Sequence, residues 1–314
     1  MKPKAQEFSS VEAVKLPARP LHLAIGIFDG VHLGHRAVIE SAVHSARRSG
    51  GLAAVLTFHP HPSVLFQPDR PTRLILPAET RSRLLLNLGV DAVITQPFTH
   101  EFARIEAEAF LPWLRQRLPQ LSAVYVGQNF RFGARRQGDV PLLVDDAGKL
   151  GLSLFSAPPV NYDGKPISST RIRGLLEEGD VAAASALLGY TYFAEGAVVA
   201  GRRLGHTLGF PTLNLKWSPG LRPRYGVYVV RVSGLKRKGS ALPGVANYGL
   251  RPTVEQTAEP LLESHLLGEC PFDAGDAIKV EWLRFLRPEQ KFAGLEELRA
   301  QIAKDIEAAR AAGC

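Results

Sequence analysis

Cysteine is nearly absent: 314 residues contain two, Cys270 and the terminal Cys314. Two thiols build no disulfide framework, and they suit a reducing cytoplasm. No apolar run approaches the ~20 residues that a membrane-spanning helix needs, so no membrane association is expected. The stretch from Met1 to Arg19 has lysines but no apolar segment behind them, so no secretory signal is expected there. Also missing are the G-x-x-x-x-G-K-[ST] string of a P-loop and the G-x-G-x-x-G string of a Rossmann dinucleotide site. Zinc-finger spacing, an aromatic-basic RNA motif and a helix-turn-helix signal are lacking too. Basic residues outnumber acidic ones, 38 to 30, for a net charge of +8, but they are scattered. Nucleic acid is therefore not the expected partner. Arginines spread this way suit polyanionic small molecules, because a planar guanidinium grips two oxygens at once.

What is present falls into two patterns, in keeping with a length that suggests two domains. In the first half, apolar strand-like runs alternate with helical ones. Strands are expected at Leu21–Phe28, Leu52–Phe58, Asp91–Thr95, Leu121–Gly127 and Leu152–Ser156. Helices are expected at Ala37–Arg48, Glu79–Leu88, Glu101–Leu118 and Leu142–Lys149. Such alternation implies βαβ units and a parallel sheet covered on both faces, with ligands at the carboxyl ends of its strands. Helical segments Thr170–Glu178 and Val181–Leu188 follow. Strands then succeed one another: Tyr192–Ala200, Leu208–Trp217, Gly226–Val232, Gly244–Tyr248, Leu261–Leu267 and Ala277–Phe285. That pattern reads as an antiparallel barrel or sandwich. A last helix, Leu295–Ala309, carries Leu295, Leu298, Ile302 and Ile306 on one face for packing. The expected domains are 1–186, of α/β type, and 187–314, all-β with a terminal helix.

The most informative stretch is Gly26-Ile-Phe-Asp-Gly-Val-His-Leu-Gly-His35, at a strand-to-helix turn. A helix N-terminus offers free N–H groups and the positive end of a dipole. Gly26, Gly30 and Gly34 let a ligand approach the backbone. Histidines His32 and His35 can donate to phosphate oxygens as charge builds. The H-x-x-H spacing also admits a metal reading, but helical zinc pairs sit at i, i+4 with a third ligand downstream, and none is evident. Phosphate contact is the expected role.

This stretch resembles the first signature of the α/β nucleotidyltransferases, G-x-F-D-x-x-H-x-G-H. Ile167-Ser-Ser-Thr-Arg-Ile-Arg173 resembles their second, I-S-S-T-x-x-R. The resemblance implies that Gly26, Phe28, Asp29, Gly30, Gly34, Ser168, Ser169, Thr170 and Arg173 bind ATP, with His32 and His35 catalytic. Ser168 and Ser169 also suit the cap of a following helix, which still binds anions. Thr57-Phe-His-Pro-His-Pro62 and Tyr125-Val-Gly-Gln-Asn-Phe-Arg-Phe-Gly133 resemble segments of bacterial FAD synthetases. They imply an FMN site at Phe58, Pro60, Asn129, Phe130 and Phe132, with core packing a nearly equal use for any one of these rings. His59 stands where that family often has an acid.

The second half carries its own resemblance. Gly201-Arg-Arg-Leu-Gly-His-Thr-Leu-Gly-Phe-Pro-Thr-Leu-Asn214 is similar to the riboflavin kinase signature G-x-x-x-G-x-x-x-G-F-P-T-x-N. It implies that Gly201, Gly205, Gly209, Phe210, Pro211, Asn247 and Arg251 hold ATP and flavin. Thr212 and Asn214 alternate on a strand and share a face. Their oxygens suit magnesium. Glu263, in Leu262-Glu-Ser-His265, occupies the catalytic glutamate position. Two departures stand out: Phe272-Asp-Ala-Gly275 replaces the family's D-L-Y-G, and His206 replaces an arginine. Nearly the whole chain thus resembles the bacterial bifunctional riboflavin kinase and FAD synthetase group. The implied activity converts riboflavin to FMN and FMN to FAD, each with ATP and magnesium, in the cytoplasm. Oligomeric state is not set by the sequence.

Overall fold

A computed structural model describes residues 5–200, 209–217, 219–236, 239–250 and 260–311. Contacts divide the chain into two units, Met1–Ser169 and Thr170–Cys314.

The first unit is built on strands β1 (Gln6–Phe8), β2 (Leu21–Ile25), β3 (Leu52–His59), β4 (Ala92–Pro97), β5 (Leu121–Gly127) and β6 (Ser153–Ala157). They form one parallel sheet in the order β1-β4-β3-β2-β5-β6. Helices α1 (Leu33–Arg48), α2 (Pro62–Phe66), α3 (Ala78–Asn87), α4 (Ala107–Arg117) and α5 (Val140–Lys149) connect them. Successive strand residues point to opposite faces. Leu23, Ile25 and Leu56 therefore meet Phe110, Leu114 and Leu143 of α4 and α5. Ala24, Val55 and Val93 meet Val38, Ile39, Ala42 and Leu85 of α1 and α3. Burial on both faces explains why these strands read as unbroken apolar runs. From β2 the chain steps outward to β3 and β4, then returns to β5 and β6 on the other side. The switch point lies between β2 and β5, where an open α/β sheet takes its ligand.

Several elements differ from the sequence reading. The strand expected at Leu21–Phe28 stops at Ile25, because Phe28 (φ 53°) and Val31 (φ 42°) adopt left-handed backbone. The helix expected at Glu101–Leu118 is broken. A 3₁₀ turn, Phe102–Arg104, precedes extended Glu106 (ψ 154°), and α4 starts only at Ala107. Helix α5 starts at Val140, two residues before the expected Leu142, because the Asp139 carboxylate caps it by accepting from the Leu142 N–H. Strand β1, helix α2 and a small hairpin, β7 (Asn161–Tyr162) with β8 (Lys165–Pro166), carry no clear sequence signal.

Helix α6 (Ser169–Glu178) opens the second unit, followed by α7 (Val181–Leu188). Strands β9 (Phe193–Val199), β10 (Leu213–Lys216), β11 (Gly226–Gly234), β12 (Leu242–Leu250), β13 (Pro260–Leu266) and β14 (Ala277–Arg287) close into an antiparallel barrel, in the order β10-β13-β12-β11-β14-β9. The strand expected at Leu208–Trp217 begins at Leu213; Leu208 itself lies outside the described residues. Tyr192, Trp217, Tyr228, Tyr248 and Trp282 pack together, with ring centroids 4.6 to 6.2 Å apart. Burial pushes the Tyr228 and Tyr248 hydroxyls well above their usual pKa. Helix α8 (Leu295–Ala311) packs Ile302, Ile306 and Ala309 against Val229 and Val245. Of the apolar face expected there, Leu295 is exposed. Arg287 also holds the helix: its fork grips both oxygens of Asp305 at 2.7 to 3.2 Å.

Candidate active sites

In the first unit the turn after β2 leads straight into α1. His32 is the N-cap: its Nδ1 accepts from the His35 N–H at 3.2 Å. That bond fixes the tautomer, because an Nδ1 that accepts carries no proton; the proton sits on Nε2, which is a donor. The His32 ring is 5% exposed and stacks on His35, with centroids 3.5 Å apart and planes 17° apart. Phe28 meets His35 edge-on at 5.3 Å. Gly34 leaves room for the stack: a Cβ there would lie a tight 3.2 Å from His32 Cε1 and Nδ1. Gly30 takes φ 81°, which suits a residue without a Cβ. The first turn of α1 carries no acidic residue, while Arg47 and Arg48 occupy its last turn. Its N-terminal end therefore keeps its positive field for an anion.

The two nucleotidyltransferase-like signatures meet here. Ser169 Oγ donates to the Asp29 carbonyl at 2.9 Å, across 140 positions of sequence. The Ile167 carbonyl lies 3.9 Å from where a Gly34 Cβ would stand. Asp29 itself is buried, and its carboxylate accepts from the Ile75 N–H at 3.0 and 3.3 Å, so it ties the turn to the chain entering α3. Ser168 precedes the first residue of α6; exposed Thr170 and half-buried Arg173 follow on that helix.

The aromatics expected around FMN separate by burial. Phe58 and Phe132 belong to the core, where Phe58 meets Phe98 and Phe102, and Phe132 meets Phe110. Phe130 is half-buried and stacks on Phe132 at 5.6 Å; Asn129 and Pro60 are exposed. Sequence reasoning missed Phe66, which is 59% exposed on α2 with its ring 6.0 Å from Phe98.

In the barrel, Asn214 of β10 pairs in register with Glu263 of β13, and Glu263 pairs with Asn247 of β12. The three share one row and one face. Glu263 and His265 are half-buried while Leu262, Ser264 and Leu266 are buried, as the pleat requires. The His265 ring Nδ1 donates to the Pro211 carbonyl at 2.9 Å and meets Phe210 edge-on at 5.4 Å. The Phe210-Pro211 segment is thus tied to β13 through His265. Asn214 Nδ2 donates to the Thr212 carbonyl at 3.5 Å. The Phe272–Gly275 turn is pinned to β9 by the Gly275 N–H, which donates to the Val198 carbonyl at 2.8 Å. Gly201, Gly205, His206 and Arg251 lie outside the described residues.

Among the described residues, no group of three His, Cys, Asp or Glu could hold a metal. Also among them, no helix is long and apolar enough to cross a membrane. The FAD synthetase family model matches residues 15–171, and the riboflavin kinase family model matches residues 188–312. The chain is 39% identical to the bifunctional riboflavin kinase/FMN adenylyltransferase of Escherichia coli K12, over 92% of this chain and 91% of that one. It is 37% identical to that of Bacillus subtilis 168, over 90% and 89%. A crystal structure described as a macrolide-efflux protein from Streptococcus pneumoniae superposes with a TM-score of 0.85 at 27% identity, covering 97% of this chain and 98% of that one.

Proposed function

This chain belongs to the bifunctional riboflavin kinase/FMN adenylyltransferases, and from that premise we propose how its residues divide the work. It phosphorylates riboflavin to FMN with ATP, then adenylylates FMN with a second ATP to give FAD and pyrophosphate. Adenylyl transfer falls to residues 1–186 and the kinase reaction to 187–314.

In adenylyl transfer, an FMN phosphate oxygen attacks the α-phosphorus of ATP. The bond from that phosphorus to the bridging oxygen breaks, and pyrophosphate leaves with the electron pair. Such transfers depend on positioning and charge stabilisation. His32, through Nε2–H, and His35 donate to the α-phosphate oxygens as charge builds. Gly26, Phe28, Gly30 and Gly34 shape the turn that receives ATP, and Asp29 anchors it. Ser168, Ser169, Thr170 and Arg173 hold the β- and γ-phosphates. Pro60, Asn129 and half-buried Phe130 receive FMN, with Phe132 stacked behind Phe130 and Phe58 serving the core.

In the kinase, Glu263 accepts the proton of the primary hydroxyl of riboflavin as its oxygen attacks the γ-phosphorus and ADP leaves. Gly201, Gly205, Gly209, Phe210, Pro211, Asn247 and Arg251 hold ATP and flavin. The Thr212 hydroxyl and the Asn214 amide oxygen are hard donors that fit magnesium. When bound, that ion neutralises phosphate charge. Two cysteines, with Cys270 exposed and free, suit the cytoplasm.

The observation that carries the reading is the Ser169–Asp29 bond, which joins both phosphate-binding signatures at the N-terminus of α1. The test incubates the full chain with ATP and magnesium plus either riboflavin or FMN, and separates the flavins chromatographically. FAD from both starting points is the expected result; its absence from the FMN tube removes the adenylyl-transfer assignment.

A further inference from the structure

Arg81 belongs to none of the motifs read from the sequence. It sits on α3 and is 2% exposed. Its Nη1 donates to the Ile27 carbonyl at 3.3 Å and its Nη2 to the Phe58 carbonyl at 3.4 Å. Ile27 lies in the Gly26–His35 turn, and Phe58 lies in Thr57–Pro62. One guanidinium therefore spans the two segments assigned to ATP and to FMN. The Thr57 hydroxyl donates to the same Ile27 carbonyl at 3.0 Å. The Asp29 carboxylate favours the Arg81 charge electrostatically, while burial opposes it.

The fork is poorly satisfied for a buried cation. Both carbonyl bonds are long, and Nε has no hydrogen-bond partner. A guanidinium has five N–H donors, and leaving buried ones unmet destabilises a fold. Stability alone does not account for an arginine here; the span between the two carbonyls does.

We propose that Arg81 is a positioning residue for adenylyl transfer, fixing the separation between the ATP turn and the FMN segment. This rests on the assignment of those two segments given above. In-line attack needs the reacting atoms held within roughly 3–3.5 Å. A lysine keeps the charge but cannot bridge two carbonyls with a rigid fork.

The test uses the full chain carrying Arg81→Lys or Arg81→Gln. FAD formation from FMN is measured for kcat and for KM of both substrates. FMN formation from riboflavin and thermal unfolding are followed on the same preparations. Arg81→Lys is expected to lower kcat for FAD about tenfold or more, with both KM values within about twofold. Arg81→Gln, without the charge, lowers it further, and FMN formation is unchanged by either. Should Arg81→Gln not fold, Arg81→Lys decides alone. A wild-type kcat in Arg81→Lys overturns the proposal. So does a loss that vanishes once rates are corrected for the folded fraction. A wild-type chain that makes no FAD from FMN overturns the underlying assignment, and this proposal with it.

Discussion

Asn214 and Glu263 stand directly opposite each other on β10 and β13, and Asn247 extends their row from β12. Two amides thus flank the carboxylate proposed to take the proton of riboflavin. Glu263→Gln keeps the shape and removes the base. FMN formation is expected to fall at least ~100-fold, the usual worth of a positioned general base. FAD formation from supplied FMN is expected to continue at the wild-type rate. A mutant that phosphorylates riboflavin normally would remove Glu263 from the mechanism.

His32 does two jobs, and they can be separated. His32→Ala removes both the cap and the Nε2–H donor. FAD formation is expected to drop ~100-fold or more, and the helix to lose about 1 kcal/mol. His32→Asn restores a cap but not the ring donor. Its thermal midpoint should return toward wild type while FAD formation stays low. Recovery of activity with the cap would show that capping was the whole role.

Gly34→Ala tests the close approach of the imidazole. Alanine suits a helix better than glycine, yet its Cβ would press on the His32 ring at 3.2 Å. A displacement of a few tenths of an ångström is expected to cut FAD formation about tenfold, without loss of thermal stability. Unchanged kinetics would mean the ring has room to give.

The pH dependence of stability should carry a contribution from His22. It is buried on β2 between the Tyr125 hydroxyl at 2.9 Å and Ser49 Oγ at 2.8 Å. Burial holds its pKa below the ordinary value of 6.5. The unfolded chain then binds the proton more readily than the folded one. The contribution is fully present above about pH 6.5 and declines as the pH falls toward the folded pKa. Thermal midpoints measured across this range should fall on the acid side, and His22→Gln should flatten that slope. An equal slope in the variant would assign the effect to other groups.

Legibility in the sequence followed the range of the interactions involved. Strands buried on both faces announce themselves as apolar runs, and β3 was found within a residue or two. The turn at Gly26–His35 was legible because its glycines mark the junction of an apolar strand and a helix. Strand β1 was not legible: three residues, Gln6–Phe8, pair with β4 across more than eighty positions. The break before α4 was hidden because Glu106 is an ordinary helix former locally. Arg81 was hidden for a related reason. Arginine on an amphipathic helix usually faces water, and only the folded sheet shows that Ile27 and Phe58 present carbonyls to it.

Strand β13 places Leu262, Ser264 and Leu266 in the interior and Glu263 and His265 on the other face. Its alignment with β10 and β12 therefore decides which side chains are available for chemistry. A slip by one residue would bury the carboxylate and bring Leu262 or Ser264 to the face proposed for the kinase site. A barrel closed by six mutually paired strands resists that slip at every seam. Closure of the sheet is thus an indexing device for Glu263, and its accuracy depends on strand pairings all around the barrel.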